Sequence, residues 1–125
     1  MSNPADDVMA KLQALRDSFA VQLPGRIQEI EAVGATLCGS KCSEAEEIEA
    51  LKLIHYLSHK LTGSGATFGF NAVSDAARIL ERFAKEMLEH ATPSTAAQRA
   101  QIRGYMEGLQ QAVVQRDKKS VDNYW

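Results

Sequence analysis

The stretch of sequence that decides the fold is SEAEEIEALKLIHYLSHKLTGSGATFG, residues 43–69. It opens with a capping box, because the Ser43 hydroxyl can accept from the amide of Glu46 while the Glu46 side chain reaches back to Ser43. At about 100° per residue, the apolar side chains that follow fall on one stripe, at Ala50, Ile54, Leu57 and Leu61. The stretch therefore predicts a long amphipathic helix with this stripe in the core.

His59 lies on the other side of this helix, roughly 180° from the centre of the stripe, so we expect its imidazole to face solvent. Helical side chains lean toward the N-terminus, and the residue whose side chain would cover the His59 ring is therefore residue 63, a glycine. A Gly inside a helix costs about 1 kcal/mol relative to Ala. The pattern predicts a gap over an exposed reactive ring, into which a bulky group can fit.

This run resembles the signature of the histidine-containing phosphotransfer family, which reads His-x-Leu-Lys-Gly followed by small residues and a closing Gly. The matching positions are His59, Leu61, Gly63, Ser64, Phe68 and Gly69. The family has Lys directly before the first Gly, whereas this chain has Thr62 there and a lysine at position 60. The resemblance implies that His59 is the phosphorylated residue and that the fold is a helical bundle.

Two further helices are predicted before residue 43 by apolar spacing and by helix-breaking residues. The first starts at Pro4, ends near Pro24 and has as its apolar face Val8, Leu12, Leu15 and Phe19. The second stops at Gly39-Ser40 and has on one face Ile27, Ile30, Gly34 and Leu37.

Two more helices are predicted after residue 69, separated by Thr92-Pro93. The one capped by Asn71 buries Val73, Ala77, Leu80, Ala84 and Met87. The last one buries Ile102, Tyr105 or Met106, Leu109 and Val113. Short connections between long amphipathic helices favour antiparallel neighbours. The sequence predicts an all-α fold over residues 1–125, a single domain that is an antiparallel up-and-down four-helix bundle with an additional N-terminal helix.

Composition narrows the class of function. The chain has 125 residues, 45% of them apolar, which suits one compact domain. A net charge of -2 with no basic cluster on one face argues against nucleic acid and favours protein partners. No apolar run approaches the roughly 20 residues that span a membrane, and the acidic start is unlike a signal peptide, so we expect a cytoplasmic protein.

The chemistry expected of His59 is acceptance of a phosphoryl group. A neutral imidazole has a ring-nitrogen lone pair and needs no separate base to attack phosphorus. The resemblance implies that a partner receiver domain brings the phosphorylatable Asp and the Mg²⁺, and that this chain needs no cofactor of its own. It also implies a carrier without kinase activity that passes a phosphoryl group from one receiver aspartate to another. The partners it implies are receiver domains of a hybrid histidine kinase, of response regulators, or of both.

The residues expected to assist His59 are exposed neighbours on the same helix. Lys60 is the nearest cation, although it lies about 100° around the helix, and Lys52 is on the correct face but two turns away. The predicted receiver-binding surface consists of Lys52, His55, Tyr56, Gly63 and Ala66. The alternative is a helical adaptor that binds a partner protein through this surface without phosphate chemistry.

Other interpretations of these residues have less support in the sequence. His55 and His59 have a zinc-binding spacing, but Tyr56 stands where a metalloprotease helix needs Glu. The glycines after His59 continue a helix rather than follow a strand, which argues against a nucleotide-binding loop. Cys38 and Cys42 lack the spacing of a redox or zinc motif, so we expect two reduced thiols.

Overall fold

The computed structural model describes residues 3–37, 42–90 and 94–122, and the side chains of these ranges apart from those at 90 and 115–122. Its helices are α1 (Pro4–Leu37), α2 (Glu44–Thr67), α3 (Asn71–His90) and α4 (Ala96–Asp122). No strand occurs in the described ranges, which confirms the predicted all-α class. The predicted breaks at Gly39-Ser40 and at Thr92-Pro93 lie outside the described residues.

The four helices form a ring in which α2 packs on α1 and α3, and α4 packs on α3 and α1. Neighbours run antiparallel: in α2 and α3, His59 contacts Glu81, whereas the later residue Thr62 contacts the earlier residue Ser74. The same order holds between α1 and α4, where the Gln110 amide donates to Glu31 and the earlier residue Met106 lies against the later residue Gly34. The predicted up-and-down four-helix bundle is confirmed.

The core is built from the apolar stripes of all four helices. The stripe predicted for α3 is fully buried, with side chains no more than 1% exposed at Val73, Ala77, Leu80, Ala84 and Met87. In α4 the buried residue of the predicted pair is Met106, and Tyr105 is half-buried against the Phe83 ring. Burial of these side chains removes apolar area from water and is the main favourable term in the stability of the bundle.

The prediction of an additional N-terminal helix was wrong, because the first two predicted helices are one. α1 runs through Pro24 without interruption over 34 residues. A proline inside a helix removes one backbone hydrogen bond and usually breaks or kinks the helix. Here Leu23 and Ile27 on either side of it are 0% and 5% exposed, so packing on the core holds this segment helical.

The apolar face predicted for the start of α1 is largely exposed. Of the four residues on its predicted apolar face only Phe19 is buried, while Val8, Leu12 and Leu15 are 51–56% exposed. All residues from 3 to 18 are exposed. The helix therefore extends past the region where the neighbouring helices cover it.

The turn between α2 and α3 fixes how close these two helices lie. A Cβ on Gly65 would lie 3.2 Å from the Ser74 amide nitrogen and 3.3 Å from the Phe70 carbonyl oxygen, so a side chain here would push the two helices slightly apart. Gly69 has φ of +82°, which glycine adopts at little cost. The Phe68 and Phe70 rings on either side pack against Phe19 of α1, at centroid distances of 5.1 and 5.4 Å.

Glu47 is buried, although it belongs to the acidic first turn of α2. Its side chain is 5% exposed, and its Oε1 accepts a hydrogen bond of 2.6 Å from the Ser94 amide. Ser43 and Glu46, in contrast, are exposed and cap α2. The Ser43 hydroxyl accepts from the Glu46 amide at 3.2 Å, as predicted, and the Glu46 side chain reaches back to the Ser43 hydroxyl, which donates to Oε1 at 3.0 Å. One carboxylate of this acidic start thus ties α2 to the segment that leads into α4.

Candidate functional site

The site lies at the middle of α2, on its solvent-facing side. Ile54, Ser58 and Leu61 are no more than 2% exposed, and this burial fixes which way the helix faces. The His59 side chain is 72% exposed, as its position opposite the apolar stripe predicts. One face of α2 is anchored in the core, and His59 lies on the opposite face. The ring is therefore held in place and remains accessible to a partner.

Glu81 of α3 orients the His59 ring. The distance from His59 Nδ1 to Glu81 Oε1 is 2.5 Å, and the Glu81 side chain is only 16% exposed. A carboxylate can only accept, so Nδ1 carries the proton in this contact. In a neutral ring the lone pair is then on Nε2, the nitrogen that the contact leaves unengaged.

The sequence analysis missed Glu81. It stands 22 residues after His59 and on a different helix, so no local spacing connects the two. The available signal was that Glu81 follows the core residue Leu80 and so lies at the edge of the α3 stripe. This places it beside some neighbouring helix, but only the antiparallel register of α2 and α3 brings it to His59.

Gly63 leaves open space beside the ring. A Cβ placed on Gly63 would meet nothing within 4 Å outside its own helix backbone, unlike one placed on Gly65. Packing therefore gives no reason for a glycine at position 63, although glycine lowers helix propensity. This geometry agrees with the predicted gap one turn after His59.

The residues predicted to bind a receiver lie on both flanks of α2. The His55 ring is nearly parallel to the His59 ring, with centroids 6.4 Å apart, and Ala66 is exposed. On the other flank, Lys52 and Tyr56 line a groove of about 710 Å³ between α2 and α1, and the Tyr56 side chain is 56% exposed. The predicted surface is therefore accessible, and its role in binding stays a prediction.

The two lysines predicted to assist His59 are oriented toward other groups. Lys60 Nζ lies 5.3 Å from the centroid of the Tyr56 ring, a cation–π distance. Lys52 Nζ lies 3.5 Å from Glu49 Oε1. Thr62, at the position of the family's Lys, donates its hydroxyl hydrogen bond to the Ser58 carbonyl at 2.8 Å.

His55 and His59, which have a zinc-binding spacing, and Cys42 lie within the described part of the chain. Among residues 3–37, 42–90 and 94–122, no group of three or more His, Cys, Asp or Glu side chains is arranged to hold a metal ion. Cys42 has a free thiol, and its pKa is raised above the usual value, first by burial and then by the carboxylates of Glu46 and Glu47. Cys38 lies outside the described residues.

Comparison with known proteins identifies the family. The family model described as the Hpt domain matches residues 9–112, which is most of the chain, and the chain belongs to this family. No curated protein and no solved structure matched the chain. Hpt domains take part in phosphotransfer in two-component signalling, as phosphocarrier modules rather than kinases, and receiver domains are their partners. Within the described residues, no helix combines the length and the apolar character needed to cross a membrane.

Proposed function

We propose that this chain is a cytoplasmic phosphorelay intermediate, a single domain over residues 1–125 that accepts a phosphoryl group on His59 from one receiver aspartate and passes it to another. The observation that carries the proposal is an exposed His59 whose Nδ1 is held by Glu81 at 2.5 Å, with open space at Gly63. Membership of the Hpt family supports the general class of reaction.

The geometry supports a simple displacement. The lone pair of His59 Nε2 forms a bond to the phosphorus of the receiver's aspartyl phosphate, and the bond from phosphorus to the aspartate oxygen breaks, with its electrons returning to the carboxylate. The ring becomes positively charged as Nε2 is phosphorylated while Nδ1 keeps its proton. The Glu81 carboxylate stabilises that charge. The aspartate of a Ser-His-Asp triad orients and stabilises the catalytic imidazolium in the same way. Transfer to the next receiver reverses these steps.

The partner completes the site in this proposal. Phosphoryl transfer depends mainly on positioning and on charge neutralisation. We expect the receiver to bring the aspartate and the Mg²⁺, and to dock on the surface around Lys52, His55, Tyr56 and Ala66. The chain itself then acts as a carrier, without kinase activity of its own and with no resident cofactor.

The decisive experiment incubates the purified protein with a phosphorylated receiver and Mg²⁺, and in parallel with labelled ATP and Mg²⁺ alone. We expect acid-labile label on the protein only in the first reaction, and its passage to a second, unphosphorylated receiver. Label taken from ATP alone would contradict the carrier role. Binding of the receiver without any transfer would favour the adaptor alternative.

A variant of Glu81 tests the proposed orientation of the ring. We expect Glu81→Gln to slow acceptance about tenfold to hundredfold, because a hydrogen bond to a charged group contributes about 1.5–3 kcal/mol and each 1.36 kcal/mol corresponds to tenfold in rate. The measurement is the initial rate of labelling from a phosphorylated receiver.

Glu86→Gln is the matched control, because Glu86 is exposed on the same helix and lies five residues further on, away from the face that contacts α2. We expect it to leave the rate unchanged. Equal rates in the wild type and in Glu81→Gln would show that the negative charge of Glu81 has no part in transfer, because the glutamine oxygen can still accept from Nδ1.

A further inference from the structure

The site lacks a cation at the position where the family signature has one. The family's Lys precedes the Gly that follows the phosphorylated His, and that position is Thr62 here. The Thr62 hydroxyl, which carries no charge, donates a hydrogen bond to the Ser58 carbonyl of the same helix. Lys60 lies over Tyr56 on the α1 side of α2, whereas Glu81 approaches His59 from the α3 side. A phosphoryl group on His59 would thus have no cation from α2 on its α3 side.

Helix α3 presents a cation at this level. Its side chains form hydrogen bonds to α2 at Ser74, whose hydroxyl donates to the Thr62 carbonyl at 2.7 Å, and at Glu81, which accepts from the His59 ring. Arg78 lies four residues after Ser74 and three before Glu81, and residues at these spacings share one face of a helix. Arg78 is therefore bracketed by two contacts to α2 and lies level with the segment from His59 to Thr62.

The guanidinium of Arg78 can exchange its present partner for a phosphoryl group at little cost in free energy. Its partner in the structure is Asp75, with 3.5 Å between Nη1 and Oδ1, and the two side chains are 45% and 70% exposed. An ion pair this exposed contributes little to stability and is easily exchanged. The planar guanidinium can bind phosphoryl oxygens through two parallel hydrogen bonds. Asp75, one turn before Arg78 on α3, does not prevent this.

We propose that Arg78 supplies, from the neighbouring helix, the positive charge that the family's Lys provides from the His-bearing helix. It binds the phosphoryl group on His59 and neutralises the charge that spreads over its oxygens during transfer. The proposal rests on His59 being the phosphorylated residue, as in the proposed function. It explains how position 62 can be a threonine in a functional carrier.

The test compares Arg78→Gln with Arg103→Gln and Lys60→Gln. Arg103 is a matched control, an exposed arginine on α4, the helix that packs on α3 and α1 and lies diagonally across the bundle from α2. Each protein is phosphorylated from a phosphorylated receiver with Mg²⁺, and separately from the small donor phosphoramidate, with the label on His59 measured over time. We expect Arg78→Gln to slow both reactions about tenfold, since a lost charge-assisted hydrogen bond has that effect. We expect this loss to be larger than any loss in Lys60→Gln, and the arginine control to match the wild type.

Rescue separates a charge effect from a structural one. The double variant Thr62→Lys with Arg78→Gln returns the cation to the family position, and we expect it to recover most of the lost rate with both donors. Wild-type rates in Arg78→Gln, or a loss in Lys60→Gln alone, would overturn the proposal. Labelling of His59 by phosphoramidate but not by any receiver would contradict the relay function, while the comparison of variants with phosphoramidate would still decide the role of Arg78.

Discussion

Replacing His59 by Gln is expected to abolish phosphate acceptance and to leave the fold intact. Glutamine offers no nitrogen lone pair that can attack phosphorus, so no residual transfer is expected. The side chain at this position is 72% exposed and outside the core, so the main loss is its contact with Glu81, and the free energy of unfolding should fall by no more than about 1 kcal/mol. Labelling from a phosphorylated receiver and a thermal melt on the same sample measure both effects.

His55→Gln is the control for this experiment. His55 lies one turn before His59 on the same helix, and the two rings are 6.4 Å apart, so it is the residue most easily mistaken for the acceptor. We expect this variant to keep an acid-labile label. Label that survives in His59→Gln and disappears in His55→Gln would show that the acceptor was assigned to the wrong ring.

Replacing Gly63 by Leu is expected to separate function from stability. Leu has a higher helix propensity, and the space around position 63 is open, so the free energy of unfolding should stay the same or rise by up to about 1 kcal/mol. The new side chain would lean over the His59 ring and keep the receiver's phosphorus from reaching Nε2. Because a misplacement of about 1 Å can cost about 100-fold in rate, transfer should slow by at least that factor.

Gly104→Leu is the matched control, since Gly104 is also an exposed helical glycine with open space around it, on α4 diagonally across the bundle from α2. It should gain the same helix propensity and transfer phosphate at the wild-type rate. A similar loss of stability and of transfer in Gly63→Leu would mean that position 63 serves packing, and the gap would then have no functional meaning.

Some features of the site and fold follow from residues close together in the chain. The capping box at Ser43 and Glu46 fixes where α2 begins, and the spacing of apolar residues fixes which side of α2 is buried. The exposure of His59 and the gap at Gly63 follow from that same helical period. These are short-range properties, because one helix determines the direction of each of its side chains.

The N-terminal part of α1 shows why the helical spacing of apolar residues does not by itself determine their burial. Val8, Leu12 and Leu15 continue the stripe that Phe19 and Leu23 carry into the core, yet they are exposed. The spacing states which face is apolar, whereas burial requires a neighbouring helix that reaches that level of the bundle. Pro24 likewise shows the effect of tertiary packing. The buried side chains on both sides of it hold the helix together, although a proline locally disfavours a continuous helix.

The sequence by itself determined the helical class, the orientation of α2 and, through its motif, His59 as the candidate acceptor. Only the tertiary structure decided which groups surround that ring. Glu81 meets His59, and Glu47 meets Ser94, across separations of 22 and 47 residues. Such contacts depend on the register in which antiparallel helices pack. That register is set by the fit of side chains from all four helices together, which no local pattern in the sequence records.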